Sequence, residues 1–381
     1  MSAQTNRGVS HTTTMGGAGW LGAAHLVVDA VCVTSVLRAS PPSDSLVASA
    51  LAFVLGYDLL AFAGQAPFGW IIDRLGLRRG AALAGLVLSA AALLAGRHAG
   101  ILVVLLAGAG NALFHVGAGA MVLAGSQGRS APAGVFVAPG AIGLGLGILL
   151  GRKFVAVPTW PFWFALVAAC AAVLLVSRPS EPTAAPAAPS LVPRRGIVLF
   201  VVVLLSLSVA VRSLVGTVGC DGCARSLFLM AAIPLAGFAG KLTGGFLADR
   251  FGWIDMSMVA LLASAPLLAF SGGDPWLALP GLLVFQMTMP VTLAAALRAM
   301  PAWPGFGFGI LCTALVGGAL PAYLPGGWRP QGLALLLLVF GSAVALYIAL
   351  RLLLHRSQPQ TAPSLASAPH SSPSALCGGH S

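Results

Sequence analysis

Two pairs of residues stand out because their types can handle a proton and their surroundings are apolar. The run GWLGAAHLVVDAVCVTSVLR carries His25 and Asp29, four apart. The run LLAGAGNALFHVGAGAMVL carries Asn111 and His115, again four apart. On a helix that spacing puts both members of a pair on one face. A carboxylate beside a histidine lets the imidazole hold or release a proton near physiological pH. Ionisable groups inside an apolar span are costly, so each is a functional candidate by default. The alternative is a buried His–Asp contact that only ties two helices together.

Further polar residues interrupt other apolar runs. Asp58 and Arg212 are candidates for gating or for an anionic substrate, and Gln286 is a further candidate substrate contact. Lys241 is either a substrate contact or a side chain that snorkels to the surface. Cys220-Asp221-Gly222-Cys223 is the sharpest oddity among six scattered cysteines. A C-x-x-C stretch can bind a soft metal, cycle as a dithiol, or close a disulfide if the turn permits. Neither a second C-x-x-C nor a nearby histidine completes a metal site around Cys220 and Cys223.

The elements that must position these groups are membrane helices. Apolar residues make up 58% of the 381-residue chain and charged residues 8%. Its mean hydropathy is +0.95. So few charges could not cover a soluble protein of this size. The net charge of +11 does not indicate a nucleic-acid partner, because the basic residues sit singly or in pairs between apolar runs. Twelve such runs approach the roughly 20 residues a spanning helix needs. They cover 17–37, 46–71, 79–96, 100–124, 131–151, 160–177, 197–218, 227–248, 256–272, 276–299, 305–325 and 331–354.

The domain plan follows. Residues 1–16 form a cytoplasmic tail, 17–177 and 197–354 two six-helix bundles, 178–196 a proline- and alanine-rich linker, and 355–381 a disordered tail. With both ends inside, twelve basic residues fall on the inner side and six on the outer. That bias favours an inner-membrane protein with cytoplasmic termini.

The chain also repeats itself. Phe62, Ala63, Gly64, Gly69, Asp73, Arg74 and Gly76 recur 176 residues later as Phe238, Ala239, Gly240, Gly245, Asp249, Arg250 and Gly252. A duplicated membrane unit points to transport by two pivoting halves. Gly69 would let a neighbouring helix approach. Gly76 would end the helix in a tight turn. Asp73 would then accept from the N-terminus of a facing helix, or pair with an arginine such as Arg74 or Arg78, in only one bundle arrangement. The second copy has Ile254 and Asp255 where the first has Arg78 and Arg79.

These residues resemble the cytoplasmic loop signature of the major facilitator superfamily, found between its second and third helices and again between its eighth and ninth. The resemblance implies an all-α integral membrane fold of twelve helices in two pseudo-symmetric bundles. Gly108-Ala-Gly-Asn111-Ala-Leu-Phe114-His115, with His25 and Asp29, is similar to the fosmidomycin resistance protein branch, although Val116 stands where that branch has proline. GVFVAPGAIGLGLG in the fifth span looks like a loose antiporter signature, with Ala138-Pro139 for its Gly-Pro pair.

The resemblance implies proton-coupled efflux of a small solute or drug by alternating access. His25 and Asp29 would couple the proton. Asn111, His115, Asp58, Arg212 and Gln286 would contact substrate, and Gly69, Asp73, Arg74, Gly76, Arg78, Gly245, Asp249 and Arg250 would gate. A monomer without cofactor or enzymatic activity is expected. The competing readings are a metal-ion carrier using His, Cys and Asp side chains, and a membrane thiol oxidoreductase built on Cys220 and Cys223.

Overall fold

The computed structural model describes residues 2–40, 47–152, 157–176, 195–220, 223, 226–324 and 326–355. The linker from 178 to 194, the tail from 356 onward, and Asp221 and Gly222 lie outside them. The described residues form twelve helical passes and no strand. The first six are α1 (Ser2–Ala39), α2 (47–75), α3 (Arg78–Ala95), α4 (Ile101–Gly125), α5 (Ala131–Arg152) and α6 (Trp160–Leu175). The second six are α7 (Arg195–Val218), α8 (Leu227–Phe251), α9 (Trp253–Ala269), α10 (Pro275–Ala299), α11 (Pro304–Tyr323) and α12 (Gly332–Leu354). Helix α1 thus begins at Ser2, before the apolar run that starts at 17.

Nine of the described helices are long and apolar enough to cross a membrane. Helices α6 and α9 are shorter apolar segments, and α2 is interrupted. Its interruption is a π turn at Leu59–Ala63, where the Gly64 N–H reaches back to the Leu59 carbonyl at 3.1 Å. Such a turn adds a residue to the helix and is frequent at functional positions. Helix α10 breaks at Met287 and Thr288, just before Pro290, which has no N–H to continue the ladder.

Small residues let these helices meet. In the first half α1 packs on α4, α5 and α6, and α3 on α4. In the second, α7 packs on α11 and α12, and α9 on α10 and α12. The halves meet along α2 with α11 and along α5 with α8. At the first seam a Cβ on Gly69 would lie 2.3 Å from the Gly305 carbonyl oxygen, and one on Gly309 2.3 Å from the Gln65 carbonyl oxygen. At the second, a Cβ on Gly134 would lie 2.7 Å from the Lys241 carbonyl oxygen. Backbones this close tolerate only glycine.

Candidate functional site: a polar cluster within one half and two aspartate latches between halves

His25 enters α5 beside its proline. Pro139 leaves the Val135 carbonyl without its helical donor. One residue further on, the Phe136 carbonyl lies 2.9 Å from His25 Nδ1. Gly140 makes room for the ring, since a Cβ there would fall 2.3 Å from Nε2. The fifth-span glycines therefore seat a histidine as well as packing helices. From α4, His115 Nδ1 lies 2.8 Å from the Asn111 carbonyl of its own helix. Both histidines are buried, each 5% exposed.

The two rings meet at their free ends, with Nε2 to Nε2 at 2.7 Å. Asp29 completes the group. Its Oδ2 lies 3.2 Å from His25 Nε2 and its Oδ1 3.5 Å from His115 Nε2. Asn111 Nδ2 donates to Oδ1 at 2.8 Å, the orientation a carboxylate acceptor requires.

The tautomers follow from these partners. A carbonyl only accepts, so each Nδ1 carries a hydrogen. Two neutral rings would then present bare lone pairs to each other. At 2.7 Å that is repulsive, whereas an N–H···N hydrogen bond has about this length. One additional proton satisfies both nitrogens, and the Asp29 carboxylate balances its charge.

The same three side chains place metal-ligating atoms within 4.8 Å of one another. The donor set suits a transition metal, but the spacing does not. Two nitrogens bound tetrahedrally at about 2.0–2.1 Å from zinc are about 3.3 Å apart, so the rings would have to separate by about 0.6 Å.

The two aspartates of the repeat lie where the halves meet. Asp73 Oδ2 accepts from the Phe306 N–H at the start of α11, at 2.9 Å. Asp249 accepts from the start of α5: Ser130 N–H at 2.7 Å, Ser130 Oγ at 2.8 Å and Ala131 N–H at 2.9 Å. Helix N-termini offer unpaired N–H groups and a positive dipole end, so both carboxylates are well placed. Phe306 and Ser130 are themselves 176 residues apart, the separation of the two aspartates. Gly76 and Gly252 end their helices with φ of 68° and 95°, conformations that favour glycine.

Of the expected arginines, Arg78 stands beside its aspartate, while Arg74 and Arg250 do not. Arg74 and Arg250 are exposed and stack on Trp70 and Phe251. Residues adjacent on a helix point about 100° apart, so when an aspartate faces the seam the next residue faces away. The cations near the carboxylates are Arg78, whose Nε is 3.4 Å from Asp73, and Arg129, whose Nε is 3.4 Å from Asp249. Arg78 has the distance of an ion pair without hydrogen-bond alignment. Arg129 and Ser130 escaped the sequence reading because they precede a span. Adding 176 to their positions would have flagged them, once Phe306 was known as a partner.

The remaining candidates fall elsewhere. Asp58 is half-buried at the π turn, with no hydrogen bond or ion pair among the described residues. Arg212 is 3% exposed on α7, among Thr288, Met289 and Thr292 of α10. Gln286 ends the first segment of α10, with its Oε1 buried and unpartnered. Cys220 and Cys223 form a disulfide, so neither sulfur is a thiolate ligand in this structure.

Twelve helical passes in two related halves among the described residues, nine of them long and apolar enough to cross a membrane, define a multi-pass membrane protein. No protein-family model and no curated protein matches the chain. Solved structures do. One is the E. coli fucose:proton symporter FucP, with TM-score 0.63 and 15% identity, covering 91% of this chain and 98% of that one. Another is a bacterial homologue of the iron transporter ferroportin in an outward-facing state, with TM-score 0.51 and 16% identity, covering 91% and 99%. The chain therefore has the major facilitator fold.

Proposed function

We propose that this chain is a secondary active transporter that moves a small organic solute by alternating access, coupled to protons. The observation that carries the reading is the 2.7 Å contact between the Nε2 atoms of His25 and His115, with Asp29 beside them. A buried site that takes one exchangeable proton is what a proton-driven carrier needs. Lys241 of the other half is near enough for its charge to act on Asp29 and His115.

The latches support the rocking step. Asp73 and Asp249 each hold the N-terminus of a helix from the opposite half, contacts that must break when the seam opens. Gly69, Gly76, Arg78 and Gly245 shape those contacts. The basic-residue bias supports a cytoplasmic latch end and cytoplasmic termini in the cell membrane. The likeness to the fosmidomycin resistance branch favours efflux by proton antiport. The name of the fucose:proton symporter adds weight to proton coupling.

The test begins with a ligand-stability screen on purified protein, since a bound ligand raises apparent stability by mass action. Flux of that ligand into proteoliposomes should respond to an imposed pH gradient. In Asp29→Asn the response should vanish while ligand exchange without a gradient persists. Wild-type flux indifferent to the gradient would sink the proposal. The donor types of His25, Asp29 and His115 support metal-ion transport as a second reading, which needs the two rings to separate. Isotope uptake that is lost in His115→Gln, with no response to pH gradient, would establish it instead.

A further inference from the structure

The polar groups of the second half are unbalanced in a way those of the first are not. In the first half Asp29 compensates the histidines. In the second, the buried Arg212 guanidinium reaches only neutral atoms. It donates to Thr288 Oγ1 at 2.6 Å and Thr292 Oγ1 at 3.5 Å, and touches Met289 Sδ at 3.2 Å. Its Nε is buried without a partner. Lys241, on α8, has no hydrogen bond or ion pair among the described residues. It lies within electrostatic reach of Arg212. No carboxylate forms an ion pair with either cation among the described residues, although Asp29 of the first half acts on Lys241 more strongly than Arg212 does.

The break in α10 sits beside them. Gln286 ends one segment, Thr288, which accepts from Arg212, precedes the next, and the Gln286 Cβ packs against Gly240 of α8. Broken helices at mid-bundle leave backbone and side-chain polar groups free to meet a ligand. A guanidinium held away from water without an anion is costly. That cost is recovered when an anion arrives.

We infer that Arg212, at the break in α10, forms with Lys241 the binding site for the anionic group of a small organic anion. This names the substrate class and rests on the transporter reading, but the binding itself can be tested without it. The guanidinium suits a planar or tetrahedral oxyanion, since it donates along a rigid fork, and the ammonium supplies a second point charge. The Asp29 cluster lies within reach of Lys241, so the anion and the proton act on one shared cation.

The experiment is thermal unfolding of the purified full chain in detergent, at constant ionic strength. The probes are benzoate, succinate, inorganic phosphate and glycerol 3-phosphate, with benzamide, succinamide and chloride as controls. At least one organic anion should raise the wild-type Tm in a saturable way, and its neutral counterpart should not. Arg212→Gln and Lys241→Gln should each weaken that anion at least tenfold, and Arg212→Lys should restore part of the loss. Without ligand, Arg212→Met should unfold no earlier than wild type, because an uncompensated cation is removed.

The inference is overturned if no probe gives an Arg212-dependent shift. It is equally overturned if Arg212→Met destabilises the ligand-free protein, which would make the arginine structural. A shift seen only with anionic lipid in nanodiscs would reassign the site to a headgroup and overturn the substrate role. Loss of proton coupling leaves all these readings intact, so the two proposals fail separately.

Discussion

The two latches are built on one repeated sequence and hold their halves by different means. At the Asp73 latch the backbones do most of the work. Gly69 lies so close to Gly305 that a Cβ would sit 2.3 Å from its carbonyl oxygen, while Asp73 accepts across the seam from the Phe306 N–H, with the Gly305 N–H beside it. At the Asp249 latch the packing is looser, with a Cβ on Gly245 2.9 Å from the nearest atom, Ala131 Cα. There the carboxylate gathers three close donors and the Arg129 guanidinium from the opposite half. Its own half adds the Trp253 indole at 3.4 Å. A second bond, Ser130 Oγ to the Gly245 carbonyl at 3.0 Å, also spans the seam.

The cations teach the same lesson. Arg78 belongs to the same half as Asp73, so that pair would survive any opening of the seam. Arg129 belongs to the half opposite Asp249, so its pair must break. The second copy lost its trailing basic residues, Ile254 and Asp255 standing in their place. A residue from across the seam supplies the charge instead. A duplicated motif has thus kept its carboxylate and turn while redistributing what holds it.

This contrast can be broken by substitution. Closure is read as the distance between spin labels at exposed Leu77 and Trp303 for the first latch, and at Gln127 and Phe251 for the second. The largest effect should come from Gly69→Ala, where a Cβ 2.3 Å from a backbone oxygen puts the overpacking at about 3 kcal/mol or more and should lower the closed population about a hundredfold. Gly245→Ala should do clearly less. If the two are equal, the first seam is not held by packing.

Next comes Asp249→Asn, which weakens several charge-assisted bonds at once and should cost about 2–3 kcal/mol. Asp73→Asn weakens one such bond across the seam and should cost about 1 kcal/mol. A reversed order would refute the division of labour. Smaller still, Arg129→Gln should lower the closed population about two- to threefold, since half-exposed ion pairs contribute up to about 1 kcal/mol. High salt should mimic it, while Arg78→Gln should leave closure unchanged. The smallest expected effect is none, for Arg74→Ala and Arg250→Ala, since both side chains stack on neighbouring rings away from the seam. A loss of closure in either would restore them as gate residues.

How much of this was legible in the sequence depends on distance along the chain. The turns at Gly76 and Gly252 were, because a glycine after an aspartate-arginine pair ends a helix by local geometry alone. The pairing of His25 with Asp29 was too, because four residues is one helical turn. That His115 joins them could be suspected from its own spacing to Asn111, but the choice of nitrogen could not. It depends on the Phe136 carbonyl, 111 residues from His25. Arg129 lies 120 residues from Asp249, and no local pattern marks it. Arg74 and Arg250 follow their aspartates in sequence, but the next residue on a helix points about 100° away, and both stack on neighbouring rings instead.

The π turn at Leu59–Ala63 has a bearing on the first latch alone. A surplus residue advances the phase of everything after it by about 100°. The stretch of α2 before the turn and the stretch after it therefore aim their stripes in different directions, as a rope does beyond a splice. Excising a single residue there would leave an ordinary helix of good length. Its glycine and carboxylate would no longer look toward α11, and the counterpart in α8, which has no such turn, would be left to keep the door alone.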